Sequence, residues 1–119
     1  MLSIQDRAFE FSIRIVKLHQ YLMKPGETSR ILSNQILRSG TSIGANLEEA
    51  KGGQSKADFL SKCSILLKEA RETHYWLRLL AVCELVPTEK LIPMIQEANE
   101  LVAILTTIVK KGRQTATKN

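Results

Sequence analysis

Histidine and cysteine are the side chains here whose chemistry depends most on placement, and the sequence holds two of each: His19, His74, Cys63 and Cys83. A di-metal carboxylate centre in a helical protein needs Glu-x-x-His on two helices, so that both ligands face inward one turn apart. Three residues before His74 stands Arg71, and three before His19 stands Val16. Neither is a carboxylate, so no metal site is expected; His74 reads as a hydrogen-bonded core residue and His19 as a surface one. The cysteines lack the CxxC or Cys/His spacing of a zinc site. They lie 20 residues apart in one apparent helix. That is roughly 30 Å, against the limit of about 7 Å between Cα atoms for a disulfide. Two free thiols fit a reducing cytoplasm. Gly52-Gly53, followed by Gln54-Ser55-Lys56 and a helix start, could hold an anion on its backbone N–H groups. A glycine turn and a helix cap is the simpler reading. With no nucleophile–base pair and no phosphate loop, neither an enzyme nor a cofactor is expected.

Charge is the next candidate chemistry. The chain of 119 residues has a net charge of +5, and Lys110, Lys111, Arg113 and Lys118, with no acid among the last ten residues, supply +4 of it. A high pI often marks a nucleic-acid binder; here it describes mainly the C-terminal end. Arg7, Arg14, Lys17 and Lys24 fall at steps of 7, 3 and 7 and form one basic stripe. A solvated face is its ordinary reading. As a nucleic-acid contact it would act with Lys110, Lys111 and Arg113.

These groups have to be carried by some framework, and periodicity supplies one. Ile4, Ala8, Phe11, Ile15, Leu18 and Leu22 recur at steps of 4 and 3, an apolar helix face. Lys24-Pro25-Gly26 ends that segment. Thr28 or Ser29 is expected to cap a second helix, with Leu32, Ile36, Ser39, Ile43, Asn46 and Ala50 inward. Ser55 with Asp58 resembles a capping box before a third, with Leu60, Cys63, Leu67, Ala70, His74, Leu77 and Ala81 as its seam. Phe59, Leu66, Thr73 and Leu80 widen that face. Pro87-Thr88-Glu89 opens a fourth, carrying Leu91, Ile95, Ala98, Val102, Leu105 and Val109 inward, with a distortion expected near Pro93. The expected helices span 3–23, 29–50, 56–84 and 88–111, followed by a frayed basic tail over 112–119. Long helices joined by short loops pack as antiparallel neighbours, so the predicted fold is an all-α, up-down-up-down four-helix bundle in one domain, 1–111. No run of about 18 apolar residues is evident and the first ten residues carry charges, so neither a membrane span nor a secretory signal is expected.

Several residues suggest a second surface. Gly40 and Gly44 form a GxxxG in a helix interior, where each glycine costs roughly 1 kcal/mol against alanine. Close approach of another helix, within the bundle or between subunits, is favoured over a hinge. Asn46 on the seam must be hydrogen-bonded and could fix register. Arg38 and Glu49 share a face three turns apart, out of mutual reach, so each seeks a partner on another helix or subunit. Trp76, beside Tyr75 and between Arg71 and Arg78, lies off the main seam and suggests a subunit interface more than base stacking.

The run Arg30-Ile-Leu-Ser-Asn-Gln-Ile-Leu-Arg-Ser-Gly-Thr-Ser-Ile-Gly-Ala-Asn-Leu-Glu-Glu-Ala50 resembles the signature of the 23S rRNA-intervening sequence protein family, the bacterial "four helix bundle proteins". Gln54-Ser-Lys-Ala-Asp-Phe59 and Lys68-Glu-Ala-Arg-Glu-Thr-His-Tyr-Trp-Leu-Arg-Leu-Leu80 extend the likeness over nearly the whole chain. The resemblance implies an up-down-up-down bundle assembled as a ring-like homopentamer, with no established activity in most members. A related group, the accessory proteins of diversity-generating retroelements, forms pentameric basic barrels that bind nucleic acid and a reverse transcriptase. This chain departs from that pattern in its nearly neutral body. The expected function is therefore a cytoplasmic, non-enzymatic homo-oligomeric scaffold or adaptor, with another protein as a partner. The alternative is a weak, sequence-independent RNA- or DNA-binding protein.

Overall fold

The computed structural model describes residues 2–23, 26–52 and 55–118, with side chains to residue 114. Four helices follow one another: α1 (Ile4–Leu22), α2 (Glu27–Lys51), α3 (Lys56–Val82) and α4 (Thr88–Lys118). Among the described residues there is no strand.

Each helix end has a local cause. Ser3 Oγ accepts from the Asp6 N–H at 3.1 Å and starts α1. Ser55 Oγ does the same for the Asp58 N–H and starts α3, as the sequence suggests. The second helix begins earlier than expected. Gly26, at φ +156°, precedes it and accepts the Arg30 N–H at 3.0 Å. Neither Thr28 nor Ser29 is the cap, and Ser29 is buried inside the helix. The end of α3 is a Schellman turn: the Leu85 N–H reaches the Leu80 carbonyl at 3.1 Å and the Glu84 N–H reaches that of Ala81 at 3.2 Å. Glu84 pays for it with a φ of +58°. The fourth helix is continuous through Pro93, which is exposed in its second turn. It also continues past the expected end at Lys111, because Gly112 is packed against Leu60 of α3, leaving no room there for a side chain.

Neighbouring helices meet in opposite directions. Along α1 and α2, Gly44 lies against Ala8 and Ser12, Gly40 against Ile15, and the Ser33 hydroxyl donates to the His19 carbonyl. Between α2 and α3, Glu49 pairs with Lys62 and Ser39 meets Thr73. α4 packs along α3, but touches α1 much less extensively, and α1 makes no close approach to α3. The helices therefore sit at four corners with a looser α1–α4 side.

The core comprises Phe11, Ile15 and Leu22 of α1, Ile36, Ile43 and Leu47 of α2, Leu66, Leu77 and Leu80 of α3, and Leu91, Leu101 and Leu105 of α4. For α1 this is the expected seam. In α2, Leu47 takes the inward place expected of Asn46. In α3, the stripe read as flanking (Leu66, Thr73, Leu80) is central, while Leu67 and His74 are only partly buried. In α4, Met94 and Leu101 replace Ile95 and Val102, which pack at the edge. The reason is geometric. A seam stepped strictly by 3 and 4 follows 3.5 residues per turn, and a straight helix at 3.6 drifts from it by about 20° per heptad.

By length and composition, Thr88–Gln114 is apolar enough to cross a membrane, with a mean hydropathy of 1.2 in its most apolar window. It is not an unbroken apolar run, since Gln96, Glu97, Asn99 and Glu100 lie within it. In the fold that segment is amphipathic: Leu91, Ala98, Leu101 and Leu105 are fully buried, and Glu97 is ion-paired with Arg7 of α1.

Candidate functional site

The residues expected at an interface fall into two groups. Gly40, Arg38, Glu49 and Asn46 are engaged within the chain. A Cβ at Gly40 would stand 2.7 Å from Ile15 Cγ1, and one at Gly44 would stand 3.2 Å from Ser12 Oγ. The GxxxG thus serves the α1–α2 packing. Arg38 donates to Glu69 at 3.2 Å and also to Glu72, both on α3. Lys62 holds Glu49 at 3.1 Å. The Asn46 amide donates to the Ser42 carbonyl at 2.8 Å, a bond inside its own helix rather than a cross-seam lock. Trp76 is partly buried against the core and its indole N–H donates to Glu72 at 3.2 Å. Tyr75 is half exposed, edge-on to Trp76 with ring centroids 5.2 Å apart, and Arg78 lies 5.9 Å from its centroid.

The expected basic stripe does not remain one surface. Arg7 is taken up by a two-pronged bond to Glu97, at 2.9 and 2.6 Å, with Glu100 at 3.3 Å. This pairing, chiefly the bond to Glu97, raises a pKa that is already high, so Arg7 stays cationic. Arg14 and Lys17 instead border a groove of about 320 Å³ between α1 and α4, floored by Leu18, Leu91 and Met94; across it Lys90 Nζ lies 5.8 Å from the Tyr21 ring. Lys24 lies outside the described residues. Lys110 and Arg113 border a different and larger groove between α3 and α4, of about 960 Å³, together with Lys68 and Arg71. Lys111 is exposed beside it.

The groups that could do covalent or metal chemistry lie apart. Cys63 is buried, which pushes its thiol pKa up, and Cys83 is exposed at the end of α3. His19 shares a hydrogen bond with Asn34 at 3.2 Å. His74, expected in the core, is only partly buried; that burial, then Arg78, lowers its pKa. Among the described residues no three potential ligands converge on a metal position.

One feature of the surface was missed by the sequence reading. Phe9, Ile13 and Val16 of α1 are exposed by 67, 42 and 40 %, and Leu2 before them by 50 %. Their steps of 7, 4 and 3 place them on the face opposite Ala8, Phe11 and Ile15. The signal was legible: the helix carries two apolar stripes, and one bundle core accommodates only one of them. Beside Phe9, a shallow depression continues onto α2, lined by Ser12, Thr41, Gly44, Ala45 and Glu48.

Comparison with known proteins adds the context. A family model described as 23S rRNA-intervening sequence protein matches residues 1–107. A crystal structure from Bacteroides thetaiotaomicron VPI-5482, described as a protein with unknown function from the S23 ribosomal protein family, is similar at 44% identity and a TM-score of 0.85. The match covers 91% of this chain and 99% of that one. No curated protein is significantly similar to the chain.

Proposed function

We propose, on the premise that this chain belongs to the 23S rRNA-intervening sequence protein family, that it is a non-enzymatic homo-oligomeric scaffold assembled through the outer face of α1. The observation that carries this is the second apolar stripe. Phe9 is two-thirds exposed, and with Ile13 and Val16 it makes a continuous apolar ridge on a helix whose other side is already in the core. A helix apolar on both sides is normally buried on both sides. Asp6 and Glu10 stand beside the ridge on the same helix, while Arg14, Lys17 and Lys90 border the apolar α1–α4 groove. The ridge of one copy and the groove of the next are both apolar, and these acids and cations can pair across the contact. A contact between two different patches is heterologous and closes into a ring when the rotation permits. Five copies is the number the family resemblance favours. The up-down-up-down order of the bundle leaves both patches on its surface. Two unpaired thiols fit a cytoplasmic setting.

Sedimentation equilibrium of the full chain tests this. The wild type is expected to be multimeric at micromolar concentration, and Phe9→Asp with Ile13→Asp is expected to be a folded monomer with unchanged helical circular dichroism. A wild-type monomer, or a double variant that assembles undiminished, overturns the reading.

A further inference from the structure

The larger groove has a composition that assembly does not account for. Its floor is Leu67 and Val109, and its walls carry Lys68 and Arg71 from α3 and Lys110 and Arg113 from α4, with Ser64, Thr106 and Gln114 as neutral polar groups. Among the described residues no carboxylate lines it. This is not a general property of α3, which carries Glu69 between Lys68 and Arg71 and Glu72 directly after them. Glu69 and Glu72 are turned toward α2, where Arg38 holds them. The helix therefore sorts its charge: acids neutralised on the α2 side, cations left on the α4 side. Lys68, Arg71 and Lys110 are exposed and form no ion pair with any described residue. Cations grouped without counter-charges repel one another and persist where an anion fills the space between them.

We propose that this groove binds the phosphodiester backbone of a single-stranded nucleic acid, with Lys68, Arg71 and Lys110 on the phosphates and Tyr75 beneath a base. Three features select that ligand. Lys68, Arg71, Tyr75 and Arg78 follow at steps of 3, 4 and 3, so the cations and one half-exposed ring share a face of α3. Such alternation of charge with an aromatic platform is how unpaired strands are held, and a duplex offers no base face to it. The stretch from Lys68 to Arg78 spans about 15 Å, the length of some four stacked nucleotides at roughly 3.4 Å each. The groove between two packed helices, whose axes lie about 8–10 Å apart, admits a strand and excludes a double helix from its floor. Assembly through the α1 ridge and the α1–α4 groove leaves the site open, because no residue lining that groove lines this one. An acidic protein segment is the competing ligand class; it would satisfy the cations and leave Tyr75 unused.

Fluorescence anisotropy with a labelled poly-uridine 12-mer, read over a salt series, tests the proposal. The full chain should bind with an affinity that falls as salt rises. Replacing Lys68, Arg71 and Lys110 by Gln should weaken binding at least ten-fold and reduce the slope of log K against log salt by about 2, at roughly 0.7 per phosphate contact for a single strand. Removing the same charge elsewhere, with Arg30→Gln, Lys51→Gln and Lys56→Gln, all exposed and outside both grooves, should change the affinity less than two-fold. Tyr75→Ala should weaken binding about five-fold or more. The charge-preserving set Lys68→Arg, Arg71→Lys and Lys110→Arg should retain it, which separates loss of contact from loss of fold. Absence of binding by the wild type, equal loss in the two triple-Gln variants, or an unchanged salt slope overturns the site. Equal affinity for a 12-base-pair duplex, or equally effective competition by polyglutamate, overturns the single-strand assignment.

Discussion

Gly40 and Gly44 stand one turn apart and face the same helix, yet they carry different constraints. At Gly40 a methyl group would meet Ile15 at 2.7–3.0 Å through three of its carbons, and that side chain is itself wholly buried. Gly40→Ala is expected to destabilise by about 1–3 kcal/mol, the usual cost of overpacking, outweighing roughly 1 kcal/mol gained in helix propensity. At Gly44 the nearest atom is the Ser12 hydroxyl at 3.2 Å, which needs to give by only a few tenths of an ångström. Gly44→Ala is expected to be neutral or slightly stabilising. Urea unfolding of the two variants distinguishes them, and equal effects would refute the α1–α2 packing described. His74 provides a second test at this scale. Burial, then Arg78, holds its pKa below the ordinary value of about 6.5. The unfolded chain then binds the proton more readily, so stability is full above that value and declines as pH falls through and below it. His74→Gln should flatten that decline, measured as Tm against pH. The sequence exposed both residues as candidates and left their partners unseen. The motif Gly-x-x-x-Gly states that something comes close; only the fold states that it is Ile15.

At the scale of elements, two junctions carry definite expectations. Glu84 occupies the left-handed position of the α3 Schellman turn with its side chain exposed. Glycine suits that conformation, at some cost in unfolded-chain entropy. Glu84→Gly is therefore expected to stabilise by about 0.5–1 kcal/mol, visible as a shift of the urea midpoint without change of slope. On the looser α1–α4 side, the Arg7–Glu97 bond joins two helices that otherwise touch little. Both side chains are about one-fifth exposed, so Glu97→Gln is expected to cost about 1 kcal/mol, and less in high salt. An unchanged midpoint at low salt would show the pair to be idle. Helix number and approximate limits were legible from caps and periodicity. Ser55 starts α3 as the sequence suggests, and the α1 seam from Ala8 to Leu22 is the buried one. The inward stripes of α3 and α4 were displaced because strict 3-and-4 stepping follows a coiled coil rather than a straight helix. The ion-pair partners of Arg38 and Glu49 were illegible because Glu69, Glu72 and Lys62 lie on α3, at a register that only packing defines.

For the whole molecule, the informative surfaces are those left over once the bundle is complete. The core accounts for one apolar stripe of α1; the ridge of Phe9, Ile13 and Val16 remains. The ion pairs account for Arg7, Arg38, Glu69, Glu72 and Glu97; Lys68, Arg71 and Lys110 of the α3–α4 groove remain. These two surfaces lie on different sides of the bundle and fit the two halves of one account, a scaffold that assembles through the α1 ridge and the α1–α4 groove and presents the α3–α4 groove outward. The family assignment fixes the fold and names no activity. The most direct measurement is native mass spectrometry of the full chain at low micromolar concentration. The account predicts a closed species of several copies, five being favoured, that gives way to monomer when Phe9 and Ile13 are replaced by Asp. A wild-type spectrum of monomer alone would contradict it.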